Sequence, residues 1–164
     1  MAVSNKPKQN PAHPNVKIPA PLLALIYIAL VYLLAWLIPL PLAVPAMLQL
    51  VGFLLVILGF LLGLAALITF RRAGTTVNPR SQVSHLVTSG IYSFTRNPIY
   101  LGFLLIVIGI SLDSGTYWGT LLAPILIILF NQLVIRPEEE YLMHKFGEQF
   151  NSYKEKVRRG IESL

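Results

Sequence analysis

From Ile18 to Phe70 the chain carries no Asp, Glu, Lys, Arg or His. A spanning helix needs roughly 17–25 predominantly apolar residues, and this charge-free stretch holds two such pieces, divided by Pro39, Pro41 and Pro45. The first, Leu22 to Ile38, is at the short end of that range; the second, Ala46 to Phe70, is at the long end and is expected to tilt. Over all 164 residues, 55 % are hydrophobic and 12 % charged, about half the charged fraction of a soluble domain. A chain this apolar would expose large greasy patches in water, which excludes a soluble enzyme and a disordered tail protein. The sequence has no cysteine, so disulfides, thiolate metal sites and a cysteine nucleophile are excluded.

The second half repeats the pattern. From Asn97 to Ile135 the one charged side chain is Asp113, inside the turn signal Asp113-Ser114-Gly115-Thr116. Asp113 reads as a solvated turn residue, with a proton relay as the alternative. Ile99 to Leu112 reaches only about 21 Å as a helix, short of the ~30 Å hydrocarbon core. Tyr117 to Ile135 is long enough, with Pro124 a potential kink. The expectation is an all-α integral membrane protein with four transmembrane helices, about 22–38, 46–70, 98–112 and 117–136, the last two a hairpin. Gly52, Gly59 and Gly63 fall on one helical face and predict a small-residue groove for a neighbouring helix.

The net charge of +6 invites a nucleic-acid partner, but the basic residues gather beside the apolar runs, as at a membrane surface. Lys6, Lys8 and Lys17 precede the first helix; Arg71, Arg72, Arg80 and Arg96 lie between the second and third. Arg136, Lys145, Lys154, Lys156, Arg158 and Arg159 follow the fourth, and neither intervening turn on the other side holds a basic residue. The positive-inside rule then places both termini and the central loop in the cytoplasm of a multi-pass protein, with membrane lipids rather than nucleic acid as partners. Residues 1–20, rich in proline among polar neighbours, read as a disordered tail. Residues 21–164 read as one domain. The polar lead and the helix-length apolar run argue against a cleaved signal peptide.

Two cytoplasmic segments are richer than mere connections. The loop 71–97 far exceeds the usual ~2–8 residues of a helix–helix link. Its apolar Leu86, Val87, Ile91, Tyr92 and Phe94 predict that it folds back onto the membrane domain. In the C-terminal segment 137–164, Leu142, Phe146, Phe150, Tyr153 and Val157 form the stripe of an amphipathic helix, with a basic end suited to anionic lipid. Glu138, Glu139 and Glu140 behind Pro137 are open to a bland reading, acids complementing a helix N-terminus. His13, His85 and His144 show no metal-ligand spacing, and neither GxGxxG, P-loop nor GxSxG is present.

Taken together the two segments resemble a known superfamily. Gly90-Ile91-Tyr92-Ser93-Phe94-Thr95-Arg96-Asn97-Pro98-Ile99-Tyr100-Leu101-Gly102 is similar to the G-x-Y-x-x-x-R-[HN]-P-x-Y-x-G signature of the isoprenylcysteine carboxyl methyltransferase and phospholipid methyltransferase superfamily. Glu138-Glu139, Leu142, Phe146-Gly147, Phe150 and Tyr153 resemble its E-E-x-x-L-x-x-x-F-G-x-x-[FY]-x-x-Y ending. Thr75 to Pro79 and Leu86 to Gly90 also look like the bacterial members, which points to a bacterial or archaeal cell membrane. Asn97 departs from the Arg-His-Pro of the eukaryotic isoprenylcysteine enzymes.

The resemblance implies an integral membrane methyltransferase whose cytoplasmic loop and C-terminal amphipathic helix form a pocket for S-adenosyl-L-methionine. It implies cofactor contacts from Ser84, His85, Leu86 and Val87 to adenine, and from the run Asn97, Pro98, Ile99 and Tyr100. Glu138 would face the cofactor's cationic groups, Tyr92 and Tyr100 its sulfonium, and Arg96 with Asn97 its carboxylate. Arg96, Glu139 and Arg136 are the expected catalytic residues. Glu139 (or His144) is the nearest base for an amine acceptor, and Arg136 either anchors an acidic group of the acceptor or serves as a positive-inside anchor. The implied partner is a lipophilic or amphiphilic methyl acceptor entering from the bilayer: a prenylcysteine carboxylate, a phospholipid amine or a small thiol. A membrane reductase using NADPH and a non-catalytic scaffold are the rival readings.

Overall fold

In a computed structural model, residues 14, 16–74 and 85–160 are described, and among them the chain is all-helical. Helix α1 spans Ala20–Leu37, α2 Ala46–Arg72, α3 Pro98–Asp113 and α4 Trp118–Phe130. A π-helical segment, Asn131–Ile135, joins α4 without a break to α5, Arg136–Phe146, and α6 follows over Glu148–Lys156. Among the described residues, three helical stretches are long and apolar enough to cross a membrane: Ala20–Leu37, Ala46–Arg72 and the continuous Trp118–Phe146. Pro98–Asp113 is a shorter apolar helix.

The core lies where α1, α3 and α4 meet: Leu23, Ala24, Tyr27 and Val31 pack with Leu104, Val107, Leu126 and Phe130. Helix α2 lies against α3, and the two backbones touch through interlocked glycines. A Cβ added at Gly59 would stand 2.5 Å from the Gly102 carbonyl oxygen, and one at Gly109 2.6 Å from that of Gly52. Gly63, expected on the same groove, has open space where a Cβ would stand, although its backbone nitrogen lies 3.7 Å from a Cβ built at Gly102; the tight part of the groove is made by Gly52 and Gly59 against a matching pair on α3. Outward-facing Leu25, Ile26, Phe53, Leu54 and Phe60 are more than half exposed, an apolar face far larger than a water-facing monomer usually shows.

The ends of the bundle differ. At one end the α3–α4 turn is knotted by Ser111, whose hydroxyl donates to the Thr116 carbonyl (2.7 Å) and accepts from the Gly119 amide (2.8 Å). There Trp118 donates its indole N–H to the Ile38 carbonyl (2.9 Å). The other end carries the loop 85–97, α5 and α6. The expected boundary at residue 136 is corrected: the fourth apolar helix runs on into α5. Pro137 explains the widening just before it, since a proline ring crowds the carbonyl four residues back and a π turn relieves that clash. The C-terminal stripe is also not one helix. Gly147, with φ +49°, breaks it into α5 and α6. Most of the tail 1–20 and the motif Thr75 to Pro79 lie outside the described residues; of the tail's described part, Val16 and Ile18 pack on the core.

Candidate active site

The local sequence explains how the site's walls form. Pro98 is the first residue of α3, where a missing N–H costs nothing, so the chain turns at Asn97 from the loop into the helix. Ahead of it, Gly90–Ser93 form a 3₁₀ turn that presses Tyr92 and Val87 onto Ala66 of α2, with Phe70 edge-on to the Tyr92 ring at 5.2 Å. Phe150, Tyr153 and Val157 of the C-terminal segment pack with Leu86, Leu142 and Phe146, which closes the loop from the other side. The Tyr153 hydroxyl donates to the Tyr92 carbonyl (2.6 Å), sealing loop to α6. Burial pushes the Tyr153 phenol up to about 12, against the opposing pull of Arg96, and lifts Tyr92 well above the usual phenol range. Both stay protonated donors at neutral pH.

Between these elements lies an open-mouthed pocket with about 880 Å³ of empty space, the solvent at its mouth included. That suits a small-molecule cofactor. Of the expected site residues, His85, Leu86, Val87, Tyr92, Arg96, Asn97, Pro98, Ile99, Tyr100, Glu138 and Glu139 line it. Ser84 lies outside the described residues. Arg136 is placed elsewhere: it is exposed and lines a second, shallower pocket with Glu140, Met143, His144 and Lys154.

Both acids are held by side chains rather than by a helix start. Because α5 continues α4, there is no free helix N-terminus at Glu138–Glu140, which removes the helix-cap reading. Tyr100 donates its hydroxyl to both Glu138 oxygens at 2.7 Å. Glu139 is buried between two guanidiniums. Arg159 donates from Nε to Oε1 at 2.9 Å and pairs through Nη2 with Oε2, and Arg96 Nη1 stands 3.3 Å from Oε1. Asn97 is only 7 % exposed, and its amide Nδ2 has no hydrogen-bond partner among the described residues. A buried donor left this way costs of order 1–3 kcal/mol, a cost that a ligand accepting from it would cancel.

Sequence reasoning missed three lining residues, Phe70, Tyr141 and Pro14, and the turned-in Arg159 beside them. Arg159 was expected with the lipid-facing basic end, yet it turns back to Glu139 and to the Asn131 Oδ1 (3.4 Å). Phe70 was assigned only to a membrane helix, and its place at the end of α2 is what lets it reach Tyr92. No local pattern marks either role.

The geometry sits where known proteins are similar. The family model described as phospholipid methyltransferase matches residues 47–149, a span that includes the lining loop and the lining residues of α5, and the chain belongs to that family. The protein-S-isoprenylcysteine O-methyltransferase of Schizosaccharomyces pombe is 38 % identical over 76 residues, 46 % of this chain and 32 % of that protein. Protein-S-isoprenylcysteine O-methyltransferase B of Arabidopsis thaliana is 34 % identical over 112 residues, covering 67 % and 57 %. The Saccharomyces cerevisiae protein of that name is 35 % identical over 119 residues, covering 67 % and 47 %. The chain thus spans between a third and three-fifths of these relatives' lengths. No solved structure matches it.

Proposed function

We propose that this chain is an integral membrane enzyme that transfers a methyl group from S-adenosyl-L-methionine to a lipophilic or amphiphilic acceptor. One observation carries the reading. A single pocket at one end of an apolar bundle joins an acidic wall, Glu138 held by Tyr100, to a donor wall, Arg96 and the unpartnered Asn97 amide. A ligand with cationic groups at one point and a carboxylate at another fits those walls. When bound, S-adenosylmethionine supplies an electrophilic methyl on a sulfonium centre.

The protein's own part is binding, orientation and exclusion of water. Glu138 would meet the cationic groups, and the faces of Tyr92 and Tyr100 would add cation–π attraction. Arg96 and Asn97 would fix the carboxylate, and backbone groups around His85, Leu86 and Val87 the adenine. Glu139 has both oxygens engaged by guanidiniums, which suits an organising carboxylate better than a proton acceptor. An ionised carboxylate acceptor needs no base, and the isoprenylcysteine relatives favour that class over a phospholipid amine or a thiol. Arg136, on the shallower pocket, would meet an acidic group of the acceptor or a lipid headgroup. The architecture proposed is four spans, α3 sheltered by α2, with both termini and the pocket on the cytoplasmic side.

Titration calorimetry on the purified full chain in detergent tests the reading. Saturable binding of S-adenosylmethionine and none of NADPH is expected. A folded protein that binds NADPH instead would be a reductase, and one that binds neither would be a scaffold; both results overturn the proposal.

A further inference from the structure

Of the loop's apolar side chains, Leu86, Val87, Ile91 and Tyr92 pack on the protein, whereas Phe94 is 80 % exposed. The backbone on either side of it is fixed. The Ser93 hydroxyl donates to the Gly90 carbonyl (2.7 Å) and the Phe94 amide to the Ile91 carbonyl (3.2 Å). Beyond it, the Thr95 hydroxyl donates to the Arg159 carbonyl (2.7 Å) and the Arg96 amide to the Arg158 carbonyl (3.0 Å). The ring is thus held outward by a bonded backbone.

Its depth along the bundle follows from how α3 lies on α2. Helix α3 ends against Gly52, where a Cβ would stand 2.6 Å from the Asp113 amide nitrogen, and starts beside Ala66, on which Ile99 packs. Helix α2 continues past Ala66 to Arg72, about 9 Å at ~1.5 Å per residue. The loop stands beside this overhang: a Cβ at Gly90 would stand 2.8 Å from the Thr69 hydroxyl, and Tyr92 meets Phe70 edge-on. Phe94 lies on the stretch of chain between Tyr92, level with Phe70, and Ile99, level with Ala66. At that level α2 still turns Leu67 and Ile68 outward, and its exposed charges, Arg71 and Arg72, come only afterwards.

We propose that Phe94 is seated among lipid acyl chains at the edge of the bilayer and anchors there the loop that lends Tyr92, Arg96 and Asn97 to the pocket. The inference deepens the proposed reading of a membrane-spanning enzyme and rests on it. Single exposed apolar residues are ordinary on a water-facing surface, so exposure alone decides nothing; the depth does. A ring level with Leu67 and Ile68 faces what they face, and with the spans in a bilayer that is hydrocarbon just beneath the headgroups. Arg71 and Arg72 can extend their long side chains into the headgroup layer above, and aromatic rings are favoured at this boundary. The anchor keeps the pocket at the depth where the polar end of an amphiphilic acceptor sits.

The sequence has no cysteine, so a single introduced one carries a spin label without background. Phe94→Cys is compared with Leu54→Cys on the outward side of α2 and Glu148→Cys on the exposed side of α6, in vesicles of phosphatidylcholine and phosphatidylglycerol. Oxygen, which concentrates in hydrocarbon, and a water-soluble nickel chelate report what reaches each label. The ratio of oxygen to nickel accessibility at position 94 should exceed that at 148 several-fold and follow the sense of that at 54. Phe94→Trp gives a second measure that keeps an aromatic ring in place. The fluorescence it adds to that of Trp36 and Trp118 should be quenched by lipids brominated high on the acyl chain and spared by aqueous iodide. A label at 94 that nickel reaches as readily as at 148, or a tryptophan quenched by iodide, would overturn the inference and leave the spans intact. A label shielded from both reagents would put protein over Phe94 and overturn it as well. Nickel access at 54 would sink the membrane-spanning reading together with the anchor.

Discussion

Helices α2 and α3 meet backbone to backbone at Gly52, Gly59, Gly102 and Gly109, whereas the pocket end is joined mainly by hydrogen-bonded pairs that use side chains, with one backbone bond from the Arg96 amide to the Arg158 carbonyl. In the first region nothing is chosen for its chemistry; the glycines matter because they leave nothing in the way. Close approach then multiplies van der Waals contacts, which drive helix association in lipid, where there is no hydrophobic force between apolar surfaces. In the second region each join is a particular pair: Tyr100 with Glu138, Arg159 with Glu139, Tyr153 with the Tyr92 carbonyl. A shape-based contact fails when volume is added. A pair-based contact fails when a donor or an acceptor is changed, even at constant volume.

The comparison breaks most visibly at Gly59. A Cβ there would sit 2.5 Å from a backbone oxygen and 2.7 Å from Ile106 Cγ1, and backbone cannot swing aside as a side chain can. Gly59→Ala should therefore cost about 3 kcal/mol of stability, the upper part of the range for overpacking. It should appear as a large fall in detergent melting temperature. An unchanged melting temperature would mean that α2 and α3 are not interlocked.

This difference also accounts for what the sequence disclosed. The helices α1 to α4 were legible because charge absence and proline breaks are local signals, and the observed starts of α2 and α3 fall at Ala46 and Pro98 as expected. The pocket was legible only through short motifs, which brought Tyr92, Asn97, Tyr100 and Glu138 together on the page as they stand together in the fold. Arg159 was not legible. Among four neighbouring basic residues at a chain end, only the tertiary position of Glu139 selects the one that turns inward. The continuation of α4 into α5 was hidden for a similar reason: Pro137 reads as a helix start, and only the π turn shows that it is carried inside one.

The pair-based region is sharpened by a change that adds almost no volume. Glu138→Gln keeps an oxygen for the Tyr100 hydroxyl, so the pocket should stay folded. It removes the negative charge, and S-adenosylmethionine binding should weaken by about 1.5–3 kcal/mol, the range for hydrogen bonds to charged groups. The neutral demethylated product lacks the sulfonium charge, so its affinity should fall less, and paired calorimetric titrations would measure both. Equal losses for the two ligands would place Glu138 against a group they share, such as the amino acid end, and not against the sulfonium.

The smallest effect belongs to Gly63, four residues beyond Gly59 on the same helix. Sequence spacing alone assigns the two glycines the same packing role, yet a Cβ at Gly63 would meet nothing within 4 Å. Alanine there adds no clash and removes backbone freedom that glycine loses on helix formation. Gly63→Ala should thus lie between neutral and about 1 kcal/mol stabilising, the propensity difference between the two residues. Both alanine variants should be melted side by side in one detergent. A large drop for Gly59→Ala with none for Gly63→Ala would place the interlock at the outer pair of glycines. Equal drops would extend the groove by a further turn and bring Gly63 back into contact with a neighbour. That neighbour would have to come from outside the described residues, because none of them places an atom within 4 Å of the added methyl.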